Sequence, residues 1–307
     1  MIHHVFANRS NIGDWLSARA IQQLLQPLDV IEHLCDEPFV ASTLAALRDA
    51  DTQDLVVIGG GGLFMDYFNP FWDGLAAMEN RPPICIWGVG YCDLKFEPTL
   101  PRLHTIGQVV STSAICVVRD ALTQRHLGMD GMSSPLPCPS MCAIDPQPPG
   151  WGLLHVDNYT TVGASAYDVM DRLCREYAEH SARPYRQTNN RIEAGHEGQL
   201  GELLRRYALS DLVVSSALHG CVIAVAMGRP VLAVSGDHKI EAFMQAAGLG
   251  EWVLDARAVN DLPASLRRLP HQRQEPDFRD QIRAGNAAIA LQVQQFAAGL
   301  GRQGAQG

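Results

Sequence analysis

The chain has 307 residues, too many for one small core and suited to two domains of about 150 residues each. Its 47% hydrophobic and 19% charged residues match an ordinary folded globular chain and exclude wholesale disorder. A formal net charge of −9 argues against general nucleic-acid binding, which needs a basic face to displace counterions.

The start, Met1-Ile-His-His-Val-Phe-Ala-Asn-Arg-Ser10, lacks a basic segment followed by a long apolar run. No later stretch approaches the ~20 apolar residues of a membrane span. A cytoplasmic protein is expected, with room for peripheral contact at the inner face of the cytoplasmic membrane. Eight cysteines are scattered singly in mostly apolar context, as reduced core thiols are. Cys138-Pro-Ser-Met-Cys142 has no second close Cys/His pair to complete a zinc site, so no metal is expected.

In chain order, short apolar runs alternate with amphipathic stretches: 3–7 then 14–25, 55–58 then 71–78, 84–87, and 115–118 then 121–127. Such alternation predicts a parallel sheet, because parallel strands need crossover connections. The Pro-rich segment 135–149 interrupts it and marks the domain boundary. The pattern then resumes with strands at 151–156, 184–188, 212–214, 230–234 and 252–254. Helices are expected at 166–180 and 198–207, from Leu218 onward, and near Leu262.

The expected organisation is an N-terminal Rossmann-like domain over 1–145 and a second over 150–270. A helix over 271–300 packs back on the first domain, and 301–307 form a disordered tail. In open α/β sheets the ligand site lies at the carboxyl ends of the strands, so two such domains face one another across a cleft.

The strand ends carry the chemistry. Ser216-Ala-Leu-His-Gly220 places His219 at a strand-to-helix turn, where unpaired N–H groups and the helix dipole favour an anion. Lys239 emerges beyond the next strand. A packed or capping role for this histidine and a solvated role for this lysine are the plain alternatives. Gly59-Gly-Gly-Gly62 allows positive φ and close approach of a ligand to the backbone, or simply a tight turn. It is neither G-x-G-x-x-G nor a Walker loop, so NAD or ATP is poorly supported. Asp14 follows Asn11-Ile-Gly at the start of the first helix, as a cap or as a carboxylate in the cleft. Arg119 is either a clamp for a carboxylate or phosphate, or the partner of Asp120.

In this order, Asn11-Ile-Gly-Asp14, Val57-Ile-Gly-Gly-Gly-Gly-Leu63 with Asp66, Trp87-Gly-Val-Gly90, Val118-Arg-Asp120, Cys138-Pro-Ser140 and Leu218-His-Gly220 with Lys239 resemble the polysaccharide pyruvyltransferase family. The resemblance covers most of the chain. It implies a glycosyltransferase-B-like pair of Rossmann-like domains that moves the enolpyruvyl unit of phosphoenolpyruvate onto hydroxyls of a saccharide, including a lipid-linked one, without an obligatory metal. On that reading His219 serves as general acid or phosphate contact, and Asp14 as base or ligand of the acceptor hydroxyl. Arg119, Lys239, Ser216 and Gly220 lie on the donor side; Asn11, Gly60, Gly61, Gly62 and Asp66 lie on the acceptor side.

One position departs from the family. Many members carry arginine where this chain has Ala217, and Arg229, Arg119 or Arg9 is the expected substitute. The departure keeps two other readings open: a nucleotide-sugar glycosyltransferase on the same scaffold, and a non-catalytic saccharide-binding relative.

Overall fold

A computed structural model describes the whole chain except residues 98, 130–133, 194, 197 and 305–307. The N-terminal half alternates strands β1 (Ile2–Phe6), β2 (Val30–Leu34), β3 (Leu55–Gly59), β4 (Ile84–Val89) and β5 (Ile115–Val118) with helices α1 (Ile12–Leu25), α2 (Val40–Asp49), α3 (Asn69–Ala76), α4 (Leu103–Ser111) and α5 (Ala121–Leu127). All described pairings in this sheet are parallel, in the order β2-β1-β3-β4-β5. Strands β1, β3 and β4 are buried along their whole length, as continuous apolar runs covered on both faces should be.

The C-terminal half repeats the plan. Strands β6 (Leu153–Val156), β7 (Tyr185–Thr188), β8 (Leu212–Ser215), β9 (Val231–Ser235) and β10 (Val253–Asp255) alternate with α6 (Tyr159–His180), α7 (Gln199–Ala208), α8 (Leu218–Ala226) and α9 (His238–Ala246), followed by α10 (Leu262–Arg268) and α11 (Phe278–Gly304). Their sheet reads β7-β6-β8-β9-β10, again parallel. Counted from the start of each half, both sheets run 2-1-3-4-5. The topological switch point therefore falls between β1 and β3 in one half and between β6 and β8 in the other, and the crevice at such a point is where open sheets bind ligands.

The edge strand β2 and helices α2, α4 and α9 add to the elements expected from the sequence. Strand β2 has no fully buried position, so Val-Ile-Glu-His-Leu offers none of the apolar continuity that announces a central strand. Helix α6 begins at Tyr159 rather than near Ala166. Gly163, with φ of 74°, breaks it after one turn and sets that turn apart beside the second switch point.

Two elements tie the halves together. Ile21 and Leu25 of α1 pack with Ile2, Leu55 and Trp87 of the first sheet, while Ile12 and Leu16 join the core of the second half through Met141 and Ile144 of the Pro-rich connector. Each of these fully buried side chains contributes about 1.5–3 kcal/mol relative to exposure, so α1 belongs energetically to both halves. Helix α11 returns over the first sheet, where Ala290 and Val293 enter its core and Asn286 Oδ1 accepts from Trp87 Nε1 at 2.8 Å. It runs to Gly304, so 301–304 continue the helix instead of a tail; the rest of the expected tail lies outside the described residues. No described helix is long and apolar enough to cross a membrane.

Candidate active site

The two switch points face each other across a cleft of about 470 Å³. Asn8, Ser10, Asn11, Asp14, Gly62, Cys92 and Arg119 line it from the N-terminal half, and Asn158, Thr161, Arg191, Ala217, His219 and Lys239 from the C-terminal half. Backbone straps close it at both ends. On one side Ile12 N donates to Asn190 O at 3.0 Å and Ile192 N to Ser10 O at 2.8 Å. On the other, Lys95 N donates to Gly236 O at 2.9 Å and His238 N to Asp93 O at 3.0 Å, while the Lys95 ammonium pairs with Glu241 and, at 2.7 Å, with Asp255.

Asp14 sits in the first turn of α1, whose cap is Asn11: the Asn11 side chain accepts from Gly13 N at 3.0 Å. This leaves the Asp14 carboxyl free of capping duty. Only 7% of Asp14 is exposed, and burial pushes its pKa up to about 7, Asp36 adding repulsion while Lys239, Arg119 and Arg191 hold it down. His219, in the first turn of α8, enters from the opposite wall. Burial, then the positive Arg119 and Lys239, pull it down to about 3, so the imidazole is neutral at pH 7. Its ring lies against Gly13: a Cβ there would stand 1.8 Å from Nδ1. Glycine in Asn-Ile-Gly-Asp is thus the bed of a side chain that arrives from the other domain.

The cations are held by partners of their own. Arg119 follows β5 and donates through Nε to Asp120 Oδ2 at 3.0 Å and through Nη2 to Tyr91 O at 3.3 Å. Burial opposes its charge, but Asp120 outweighs this and leaves Arg119 above its ordinary pKa. Asp120 also caps α5, accepting from Thr123 N at 2.8 Å, so Arg119 is the partner of Asp120 that the sequence offered, and it lines the cleft as well. The guanidinium crosses Gly90, where a Cβ would lie 2.1 Å from Nη2. Lys239 pairs with the fully buried Asp237 at 2.6 Å and contacts Cys92 Sγ at 3.2 Å. Burial disfavours its charge as well, yet Asp237 keeps Lys239 above the usual lysine range.

Of the residues expected from the sequence, Asp14, His219, Arg119, Lys239, Asn11 and Gly62 line this one cleft. Gly60 and Gly61 do not. With φ of 86° and 93° they turn beneath α1, where side chains would strike Ser17 and Asp14, so they admit the helix rather than a ligand. Gly220 likewise lets α8 sit on the sheet, since a Cβ would fall 2.0 Å from Ser215 Oγ. Ser216 is fully buried and accepts from Asn158 N at 2.7 Å, tying the β6 and β8 loops together. Asp66 stands outside the lining although Met65 and Tyr67 belong to it.

Among the arginines expected to replace the one absent at Ala217, Arg229 donates to the carbonyls of Gln147, Met227 and Pro148 behind the sheet, and Arg9 pairs with Glu32 beside an adjoining cavity. Arg119 lines the cleft, and so does the exposed Arg191, which sequence reasoning missed. Its signal was the same as that of the others: Thr188-Asn-Asn-Arg191 leaves the end of β7, and Asn190 takes a φ of 57° to turn the chain into the cleft. Asp36 and the Cys138 thiol beside His219 were also missed. Among the described residues no group of three metal-ligating side chains forms.

Two Rossmann-like domains of identical strand order, with a cleft between their switch points, define a glycosyltransferase-B-like protein. The Polysaccharide pyruvyl transferase family profile matches residues 11–238, and the chain belongs to that family. No curated protein matches the sequence. The fold is similar to that of UDP-GlcNAc 2-epimerase from Methanocaldococcus jannaschii in complex with UDP-GlcNAc and UDP, with TM-score 0.57, 9% identity, and coverage of 95% of this chain and 98% of that one. It is also similar to S. aureus MnaA with UDP, with TM-score 0.54, 12% identity, and coverage of 88% and 89%. A third match is KP1_0663 from Klebsiella pneumoniae, with TM-score 0.52, 12% identity, and coverage of 81% and 89%.

Proposed function

We propose that the protein transfers the pyruvyl group of phosphoenolpyruvate to two hydroxyls of a saccharide, forming a cyclic ketal and releasing phosphate. The observation that carries this reading is the convergence of Arg119, Lys239 and Arg191 on a cleft that also holds Asp14 and His219. Phosphoenolpyruvate brings two anionic groups, which these cations suit, and an enol carbon that must be protonated.

The protonation states assign Asp14 and His219 the reverse of the roles expected from the sequence. A carboxyl with a pKa of about 7 is substantially protonated at neutral pH, whereas a histidine with a pKa of about 3 offers a lone pair. Asp14 gives its proton to the methylene carbon, which becomes a methyl group. An acceptor hydroxyl bonds to C2 and yields its proton to His219. The second hydroxyl then bonds to C2, losing its proton to the Asp14 carboxylate, and the C2–O bond to phosphate breaks with its electron pair. His219 returns its proton to the departing phosphate, so both groups end as they began. Donor binding favours this division, because added negative charge raises the pKa of Asp14 further and keeps the acid loaded.

The saccharide acceptor is assigned to the N-terminal side. There a second cavity of about 540 Å³ shares Asn8, Ser10 and Asp36 with the cleft and carries the exposed ring of Phe39 among polar side chains. An aromatic face beside hydroxyls and charges suits a sugar ring. A lipid-linked acceptor would be met peripherally at the membrane's inner face.

Thermal unfolding with phosphoenolpyruvate and, separately, with UDP-sugars tests the donor class. Phosphoenolpyruvate at 100 times its Kd should stabilise the fold by about 2.7 kcal/mol, and Arg119→Ala should lose that gain. Stabilisation by a UDP-sugar alone, with none from phosphoenolpyruvate, would overturn the reading in favour of a glycosyltransferase. No stabilisation by either favours a non-catalytic saccharide binder.

A further inference from the structure

Cys138 takes no part in the steps above, yet three groups surround its sulfur: Ser17 Oγ at 2.9 Å, Ser140 Oγ at 3.1 Å and His219 Nε2 at 3.4 Å. Ser17, Ser140 and Cys138 are all at most 1% exposed. In such a cluster each proton has one place to go, and the places can be counted.

The Ser17 hydroxyl spends its single proton on Gly13 O, at 2.8 Å, one turn back in α1. A sulfur and an oxygen held 2.9 Å apart need a hydrogen between them, so the thiol S–H donates to Ser17 Oγ. Ser140 donates its own proton to the sulfur. With its only hydrogen committed to Ser17, Cys138 can offer His219 nothing but a lone pair. Nε2 must therefore carry the ring hydrogen, and Nδ1 is left with the lone pair. No described residue hydrogen bonds to Nδ1, and it lies over Gly13, which has no side chain to set against it.

We infer that Ser17, Cys138 and Ser140 form a positioning relay that fixes His219 as the Nε2–H tautomer and presents its Nδ1 lone pair to the cleft. The catalytic consequence rests on the proposed transfer reaction: a lone pair at Nδ1 makes His219 the acceptor of the hydroxyl proton. The tautomer itself rests on the geometry alone. None of the three relay residues lines the cleft; they act through the ring they orient, as the partners of other functional histidines do.

Nitrogen-15 NMR of the histidine rings in the full chain tests this without donor or acceptor. The His219 resonances are identified by their loss in His219→Gln. At pH 7.5 the native ring should show a protonated Nε2 and an unprotonated Nδ1. Ser17→Ala releases the thiol proton toward Nε2 and should raise the Nδ1–H share severalfold. Cys138→Ala removes the acceptor and should do the same, whereas Cys138→Ser, which can still donate to Ser17 and accept from His219, should keep the native tautomer. A native spectrum with Nδ1 protonated would overturn the inference, as would an unchanged tautomer in both Ser17→Ala and Cys138→Ala. Where phosphoenolpyruvate-dependent phosphate release can be followed, Cys138→Ala should lower kcat at least tenfold with little change in donor KM, and Cys138→Ser should restore it. Because the spectrum is read on the free protein, failure of the donor assignment would leave the relay standing, and failure of the relay would leave the donor assignment standing.

Discussion

The two halves share one strand order but build their switch points from opposite materials. In the N-terminal half the loop after β3 is glycine, and the side chains of α1 lie directly on its backbone. In the C-terminal half the loop after β8 is tied by hydroxyls: Ser215 Oγ accepts from Ala217 N at 3.1 Å and donates to Ala217 O at 2.8 Å, Ser216 Oγ accepts from Asn158 N, and Thr161 Oγ1 donates to Ser216 O at 2.9 Å. A bare backbone lets a carboxyl be buried closely enough to raise its pKa. A hydroxyl-pinned turn holds a neutral imidazole at a fixed place. Burial therefore sets the protonation state of both the acid and the base of the proposed reaction, while the two walls hold them by different means, bare backbone on one and a pinned turn on the other, and substitutions should separate those means.

The largest effects are expected at the pair itself. Asp14→Asn and His219→Gln should each lower kcat for phosphate release by about 10²- to 10⁴-fold, the usual worth of a positioned acid or base, while circular dichroism stays native. The pH dependence distinguishes the two walls. With the acid at about 7 in the free protein, kcat/KM should fall roughly tenfold per unit well above that pH, and kcat should turn down at a higher pH because bound donor raises the pKa. Stability carries the same signature. The folded pKa of Asp14 lies above its unfolded value of 3.8, so its contribution is fully present below pH 3.8 and is lost as pH rises through about 7. For His219 the folded value lies below the unfolded 6.5, so its contribution is present above 6.5 and is lost as pH falls toward 3. Asp14→Asn should therefore flatten the fall in stability between pH 4 and 7 and gain at most ~4 kcal/mol at pH 8. An unaltered slope in denaturant titrations would show that burial does not set its state.

Next in size is the buried ion pair of the N-terminal wall. Arg119→Ala strands the Asp120 carboxylate, only 8% exposed, and breaking such a pair costs about 3–5 kcal/mol. The cap that Asp120 forms on α5 absorbs part of this, so a loss near the lower bound in urea denaturation is expected. A loss under ~1 kcal/mol would mean that Arg119 is a ligand cation with no structural duty.

The strands that bury on both faces, β1, β3, β4, β6, β8 and β9, were legible because they are mostly apolar, and most motif residues were legible because they stand at the ends of those strands. What escaped depended on contacts across the cleft. Gly13 shows no reason for its place in Asn11-Ile-Gly-Asp14 until His219 is seen lying on it, and Gly60 and Gly61 read as ligand contacts or a tight turn until α1 is seen filling the space. Cys138 reads as a core thiol until α1 and α8 bring Ser17 and His219 to its sulfur beside the neighbouring Ser140. Edge strand β2 escaped for a local reason, since it buries too little to show a pattern.

Arg191 gives the smallest expected effect and the sharpest comparison with Arg119. It is exposed on the C-terminal wall at the end of β7, beside the cleft that Ala217 also lines. Its removal leaves no buried charge behind, so Arg191→Ala should change stability by no more than ~0.5 kcal/mol. Its field nonetheless reaches Asp14, whose pKa it helps to hold down, and the same field should act on a bound anion. A cation that contacts donor before and after bond formation contributes uniform binding, which appears in KM and spares kcat. Arg191→Ala should accordingly raise donor KM about tenfold, or ~1.4 kcal/mol, with kcat within about twofold. If Arg191 replaces the guanidinium that Ala217 lacks, then adding Ala217→Arg to Arg191→Ala should recover donor affinity, whereas the same change in the native chain should add little. A double variant no better than Arg191→Ala alone, or a rise in acceptor KM in place of donor KM, would move Arg191 to the acceptor side and leave the C-terminal wall with Lys239 as its donor cation.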